Sequence, residues 1–333
     1  MPSGRTGMSG GGLPRGAGLL YAAPMERLMG ADPFPARFRG GVIALGNFDG
    51  FHLGHQAVVG RAAELARALG APLLVATFDP HPVCYFRPGT PPFRLTTLDQ
   101  REALFAAAGA DAMVVYHFGA QLAQVTAQAF TTEWLAGHAG ARMVVAGQDF
   151  TFGRGREGSI AFLVEHGQAH GLAAEAVGAV RDGSGPVSSS RIRDALRAGD
   201  CEAAARLLTR PFAVQGIVQH GAKLGRALGF PTANLALGDY VRPAYGIYAV
   251  RGLLPGGRVV GGVANLGVRP SFDPPIELLE PYFFDFSGDL YGQTIEVQLA
   301  SFLRPEAKFD DLETLKRAIA EDCAEARRRL AAG

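Results

Sequence analysis

The chain has 333 residues, with 32 Lys and Arg against 31 Asp and Glu and a net charge of +1. That length admits two domains, each able to bury its own core, and the near-balanced charge gives no footprint for nucleic acid or an anionic membrane. Apolar runs such as Ala71–Phe78 are strand-sized and far short of the roughly 20 residues of a spanning helix. The three cysteines, Cys84, Cys201 and Cys323, are widely spaced and odd in number. They fit neither a disulfide framework nor a CxxC metal site, so a soluble protein of the reducing cytoplasm is expected.

Residues 1–24 hold seven glycines, Arg5 and Arg15, and no acidic residue. Their apolar patch, Leu19–Ala23, is too short for a secretory core. The segment reads as disordered, part of a leader over residues 1–30, and Met8, Met25 and Met29 leave the natural start open.

From Gly41 onward, short apolar runs alternate with helical patterns, the order of a parallel sheet. Val42–Leu45 reads as a strand, Gln56–Leu69 as a helix stopped by Gly70, and Leu73–Phe78 as a strand. Asp99–Ala108 follows as a helix, with Thr97 and Gln100 spaced as a capping box. Met113–Tyr116 (strand), Ala129–Leu135 (helix) and Met143–Ala146 (strand) continue the alternation. Helices over Arg191–Ala198 and Glu202–Leu208 lead to a boundary at Arg210-Pro211, which gives domains 31–208 and 212–333.

Beyond the boundary, strands separated by Gly and Pro turns predict a small antiparallel barrel: Ala213–Gln219, Ile247–Val250, Val259–Leu266, Leu278–Phe286 and Ile295–Phe302. Leu312, Leu315, Ile319 and Cys323 recur at helical spacing, so an amphipathic helix over Asp311–Leu330 should close the domain.

The first constellation runs from Gly46 to His55, where strand Val42–Leu45 meets a helix. An α/β sheet binds its ligand at such a crossover. His52 and His55 flank Gly54, which lets both rings face one point, while backbone amides at the helix start suit an anion such as a triphosphate. Transfer at an α-phosphate needs donors that stabilise charge moving onto pyrophosphate, and histidine supplies them without a dedicated base. The bland alternative is that the histidines only cap the helix.

Gly46–Gln56 resembles the HxGH motif of the nucleotidyltransferase superfamily. Its flanks resemble one branch, the prokaryotic bifunctional riboflavin kinase and FMN adenylyltransferase, also called FAD synthetase. The resemblance assigns His52 and His55 to catalysis, and Gly46, Asn47, Phe48, Asp49 and Gly54 to ATP phosphates. It is supported by Thr77–Pro82 and Gly147–Gly153, which place Asp79, His81, Asp149 and Phe150 as FMN-binding candidates. Ser188, Ser189, Ser190 and Arg193 resemble the family's SSTxIR motif and would hold phosphate oxygens. Two departures stand out: Thr151 where many members carry Arg, and Ser190 in place of Thr. Read without the family, Asp79 and His81 are ordinary turn residues and the serine run an N-cap.

The second constellation, Gly216–Leu235, resembles the riboflavin kinase signature. It lacks the Gly-Lys-Ser/Thr ending of a Walker loop; Gly221, Gly225 and Gly229 instead free backbone amides for phosphates, with Lys223 and Arg226 between them. The resemblance implies that Thr232 and Asn234 ligate Mg²⁺ together with ATP, as hard oxygen donors suit that ion. It also aligns Glu280 with the base that takes the proton of the ribityl 5′-hydroxyl, although Glu277 lies three residues earlier. Asn265, Arg269 and Arg304 fall in further family stretches and are flavin-binding candidates.

The resemblance covers residues from about Gly41 to Arg329. It implies ATP and Mg²⁺ as cofactors, riboflavin and FMN as substrates, FAD and pyrophosphate as products, and no nucleic-acid or membrane partner. Two other readings remain: a chain with only one active half, and a flavin-binding storage module without turnover. Intact Thr232, Asn234 and Glu280 speak against the first, and His52 and His55 against the second.

Overall fold

The computed structural model describes residues 25–221, 229–269 and 276–332. The leader up to residue 24 lies outside them, as do Lys223, Gly225, Arg226 and residues 270–275; for Arg269 only the backbone is described.

Six parallel strands form the first sheet: β1 (Glu26–Met29), β2 (Val42–Leu45), β3 (Leu73–Asp79), β4 (Ala112–His117), β5 (Met143–Gly147) and β6 (Ala173–Val177). Their order is β1-β4-β3-β2-β5-β6. The central strands are buried on both faces, which is why they read as unbroken apolar runs. Helix α1 (Leu53–Leu69) links β2 to β3 and ends at Gly70, whose φ of 58° is left-handed. Helix α3 (Leu98–Ala107), which follows the short α2 (Pro82–Phe86), starts at Thr97 with the expected capping box complete.

Several local expectations are corrected. The leader was expected to run unstructured to residue 30, but Glu26–Met29 pairs in register with Ala112–Val115. Leu28 is buried there, and Arg27 bonds to Asp99 and Glu102 of α3. The helix read over Ala129–Leu135 is a short α segment, Ala127–Ala129, running into π-helical Phe130–His138. Helix α4 (Ile160–Gly167) and strand β6 gave no clear signal; β6 is an edge strand with no fully buried residue.

Helices α5 (Ser189–Arg197) and α6 (Cys201–Leu208) lead into the second sheet, and α7 (Leu312–Ala332) closes the chain. The strands are β7 (Phe212–Ile217), β8 (Leu235–Ala236), β9 (Gly246–Leu254), β10 (Arg258–Arg269), β11 (Ile276–Phe283) and β12 (Thr294–Pro305). All pairs are antiparallel, in the order β7-β12-β9-β10-β11-β8. A bridge between Gln219 and Asn234 draws the two edges together, giving a nearly closed barrel. Ile192, Leu196, Ala204 and Leu208 share one apolar core with Phe212, Tyr248 and Leu279, so α5 and α6 pack on the barrel as well as following the sheet.

The halves also meet through polar contacts. Gln100 of α3 donates to Glu296 of β12 at 3.0 Å and accepts from Tyr240 Oη at 2.7 Å. Arg94 and Asp239–Val241 exchange backbone bonds of 2.9 Å.

Candidate active site

The C-terminal ends of β2 and β5 diverge where the strand order reverses, and a crevice of about 870 Å³ opens there. Topology alone makes this the binding position of an open α/β sheet. Gly46, Asn47, Phe48, Asp49, His52, Gly54, His55, His81, Asp149, Phe150, Ser188, Ser189 and Arg193 all line it. Asp79 ends β3 behind them, and Ser190 is exposed outside the lining.

The turn that delivers the histidines is conformationally costly. Phe48, Gly50 and Phe51 have φ of 50°, 88° and 45°, and each non-glycine residue held so costs on the order of 1–3 kcal/mol. Burial of both phenyl rings against Phe105 offsets that cost.

His52 caps α1: its Nδ1 accepts from the amides of Gly54 at 3.1 Å and His55 at 3.4 Å. Those two amides are therefore engaged within the turn, and the ring proton of His52 sits on Nε2. The His52 and His55 rings stack 3.6 Å apart. A Cβ on Gly54 would lie 3.1 Å from His52 Cε1, so glycine is what lets the rings close. Burial lowers His52 to about 4 despite the charge of Asp49. Burial, then the neighbouring His52, takes His55 well below the usual histidine value. Both rings are held neutral near pH 7; His52 accepts at Nδ1, while Nδ1 of His55 is buried without a hydrogen-bond partner.

Asp49 has its carboxylate engaged by other parts of the fold. It accepts from the amides of Leu95 and Thr96 at 2.9 and 3.0 Å and pairs with Arg193 at 2.7 Å. Arg193 also donates to Phe93 O and lies over the Phe93 ring. Ser189 donates to Asp49 O, and Ser188 caps α5. Asp79 is flanked by Arg94 and Arg101 at 3.5 and 3.4 Å. His81 caps α2, packs edge-on to Phe93 and is lowered to about 4 by burial.

The crevice also has an aromatic lining: Phe78, Phe86, Phe118 and Phe130, with Phe150 stacked on Phe78 and Phe152. Asp149 is exposed at the rim. Sequence reasoning named Phe150 of this lining but not Phe78, Phe86, Phe118 or Phe130, and it missed Arg101, which bonds to Asn47 O and Thr77 Oγ1. A signal for Arg101 exists: it falls on the buried stripe of α3 with Leu104 and Phe105, where a charge needs a partner.

On the barrel, a cavity of about 430 Å³ is lined by Thr232, Ala233, Phe283, Phe286 and Gly288–Tyr291. Asn234 is buried beside it, and a Cβ on Gly221 would come within 2.5 Å of its side chain. Gly229 has φ of 88°.

Glu280 does not line that cavity; it pairs with Asn265 across β10 and β11, and its Oε2 is shielded from solvent. Glu277 is bonded to Arg242 Nε at 2.6 Å and to Tyr245 Oη. Burial alone would raise the Glu277 carboxyl, but those bonds outweigh it and hold the group low. Arg304 is paired bidentately with Asp322 of α7 at 2.8 and 2.7 Å.

The FAD synthetase family model matches residues 35–191, and the riboflavin kinase family model matches residues 208–330. The bifunctional riboflavin kinase/FMN adenylyltransferase of Escherichia coli (strain K12) is 38% identical over 93% of this chain and 95% of its own. Those of Pseudomonas fluorescens and Bacillus subtilis (strain 168) are 40% and 36% identical, over 91% and 86% of this chain and 97% and 91% of theirs. A crystal structure described as a macrolide-efflux protein from Streptococcus pneumoniae superposes with a TM-score of 0.80, at 30% identity, over 90% of this chain and 97% of that one. No helix among the described residues here is long and apolar enough to cross a membrane. On both halves and nearly its full length, the chain belongs to the family of bifunctional riboflavin kinase/FMN adenylyltransferases.

Proposed function

We propose that residues 31–208 and 212–333 act as two catalytic units: the barrel phosphorylates riboflavin with ATP, and the crevice joins the resulting FMN to the adenylyl group of a second ATP. The observation that carries the second assignment is the stacked, neutral His52–His55 pair at the sheet's switch point, in a crevice with an aromatic lining. Phe78, Phe86, Phe118 and Phe150 suit an isoalloxazine ring, and the imidazoles then lie at the phosphate end.

In the adenylyl transfer, an oxygen of the FMN phosphate forms a bond to the α-phosphorus of ATP, and the bond to pyrophosphate breaks. The attacking phosphate is already an anion, so no side chain has to remove a proton. His52 offers Nε2–H to the oxygens that gain charge, with Gly46, Asn47, Phe48 and Gly54 shaping the approach. Ser188 and Ser189 line the same crevice, and Asp49 acts by holding Arg193 in place.

In the kinase, Glu280 accepts the proton of the ribityl 5′-hydroxyl as its oxygen bonds to the γ-phosphorus and ADP leaves. Glu277, the other glutamate of β11, is bonded to Arg242 and Tyr245. Gly221, Lys223, Gly225, Arg226 and Gly229 are assigned to the phosphates of ATP by the resemblance of their sequence to the riboflavin kinase signature. Thr232 and Asn234 are hard oxygen donors at the cavity, and the close approach of Gly221 to Asn234 fits a cradle for Mg²⁺. Bound there, Mg²⁺ would neutralise charge on the ATP phosphates. Asn265, Arg269 and Arg304 belong to the flavin side, Arg304 by anchoring α7.

Supplying riboflavin or FMN separately, each with ATP and Mg²⁺, and separating the flavins tests both steps. Riboflavin should yield FMN and then FAD, and FMN should yield FAD with pyrophosphate. Recovery of only the supplied flavin in both reactions overturns the reading.

A further inference from the structure

The turn that delivers His52 is held from behind by a residue of the segment joining α6 to β7. Arg210 donates from Nη2 to Gly50 O at 2.8 Å and from Nη1 to Leu208 O at 3.0 Å, with Phe51 O at 3.5 Å. Gln56 of α1 reaches the same carbonyls: its Nε2 is 2.9 Å from Phe51 O, 2.9 Å from Thr209 Oγ1 and 3.3 Å from Leu208 O. The left-handed backbone at Phe48, Gly50 and Phe51 takes this turn out of helix and sheet, so the carbonyls of Gly50 and Phe51 depend on side-chain donors. Burial disfavours the charge of Arg210, and Glu296, fully buried on β12 of the barrel, favours it. Arg210 lines neither the crevice nor the barrel cavity.

We propose that Arg210 is a positioning residue for adenylyl transfer: from the entry to the barrel it fixes the Gly50–Phe51 carbonyls and so sets His52, and through the ring stack His55, toward the crevice. The inference rests on the reading of that histidine pair as the transfer site. It makes the adenylyl step depend on the linker between the halves, while riboflavin phosphorylation does not.

The test uses the full chain, with Arg210→Met and Arg210→Lys compared with wild type and with His55→Ala. FAD formation from supplied FMN and FMN formation from riboflavin are measured separately. Loss of a small positional restraint predicts an adenylyl-transfer kcat about 10- to 100-fold lower in Arg210→Met. KM for FMN and ATP should stay within about threefold, because the side chain touches neither. Arg210→Lys should recover part of kcat, since an ammonium can still serve one carbonyl. An unchanged kinase rate shows that the preparation is folded. If Arg210→Met loses both activities and fails to fold, Arg210→Lys decides by the same kcat loss with the kinase intact. A wild-type adenylyl kcat in a folded Arg210 variant, or a loss confined to KM, overturns the proposal. Should His55→Ala keep full FAD formation, the transfer site is elsewhere and the proposal falls with it; inactive His55→Ala beside fully active Arg210 variants removes the positioning role alone.

Discussion

Asp49 Oδ2 lies 2.7 Å from Nη2 of Arg193, and both side chains are largely shielded from solvent. The same carboxylate collects the amides of Leu95 and Thr96, so one acidic residue joins the β2–α1 turn, the segment before α3 and helix α5. Asp49→Asn keeps the volume but leaves Arg193 facing an uncharged partner. Breaking a buried pair in this way costs about 3 kcal/mol. Urea unfolding followed by the fluorescence of Trp134, the single tryptophan, should show the lower midpoint. FAD formation should fall further than FMN formation. An unchanged midpoint would contradict the anchoring role.

Burial gives His52 a pH signature in stability. Its folded value is about 4 against an ordinary 6.5. Between those limits the unfolded chain binds a proton that the folded chain does not. Stability from this group is therefore complete above about pH 6.5 and is lost as pH falls toward 4, by up to about 3 kcal/mol. His52→Asn keeps a capping side chain without the titration. The drop in urea midpoint from pH 7.5 to 4.5 should be shallower in the variant than in wild type. Equal drops would mean that His52 is not held neutral.

Much of this was legible because local chemistry decides it. β2 to β5 show as apolar runs since both faces are covered, and the Thr97 capping box is complete within four residues. The loops at the strand ends carried the resemblance. What escaped depends on partners distant in the chain. β1 is ordered by pairing with β4, and Arg101, Arg210 and Glu296 take their meaning from carbonyls and charges elsewhere. The role of His52 was only half legible: capping and facing the crevice, offered as alternatives by the sequence, are met by one ring through its two nitrogens.

The two glutamates of β11 are separable by experiment. Glu277 is committed to Arg242 and Tyr245 near the surface, so Glu277→Gln should cost about 1 kcal/mol in stability and keep most kinase turnover. Glu280→Gln removes the proposed base, and a lost general base lowers kcat by roughly 100- to 10,000-fold. Supplied FMN should still be converted to FAD by both variants. The opposite ranking in FMN formation would move the base to Glu277.

Tyr240 ties the two halves through its hydroxyl, which donates to Gln100 Oε1 at 2.7 Å and accepts from the amide of Gln215 at 3.1 Å. Thr97 adds a bond to the Gln215 side chain, and Gln100 reaches Glu296. Tyr240→Phe leaves the part-buried Gln215 amide without this partner and takes from Gln100 Oε1 one of its two donors, a cost of about 1 kcal/mol that falls on the interface between the halves. Trp134 sits in the α/β half, so its fluorescence follows that half alone, while far-ultraviolet circular dichroism follows both. In wild type the two signals should unfold together in urea. In Tyr240→Phe they should separate, because the apolar core shared by α5, α6 and the barrel stays with the barrel when the polar contacts to α3 weaken. Coincident transitions at an unchanged midpoint in the variant would show that the apolar core, rather than this polar network, couples the halves.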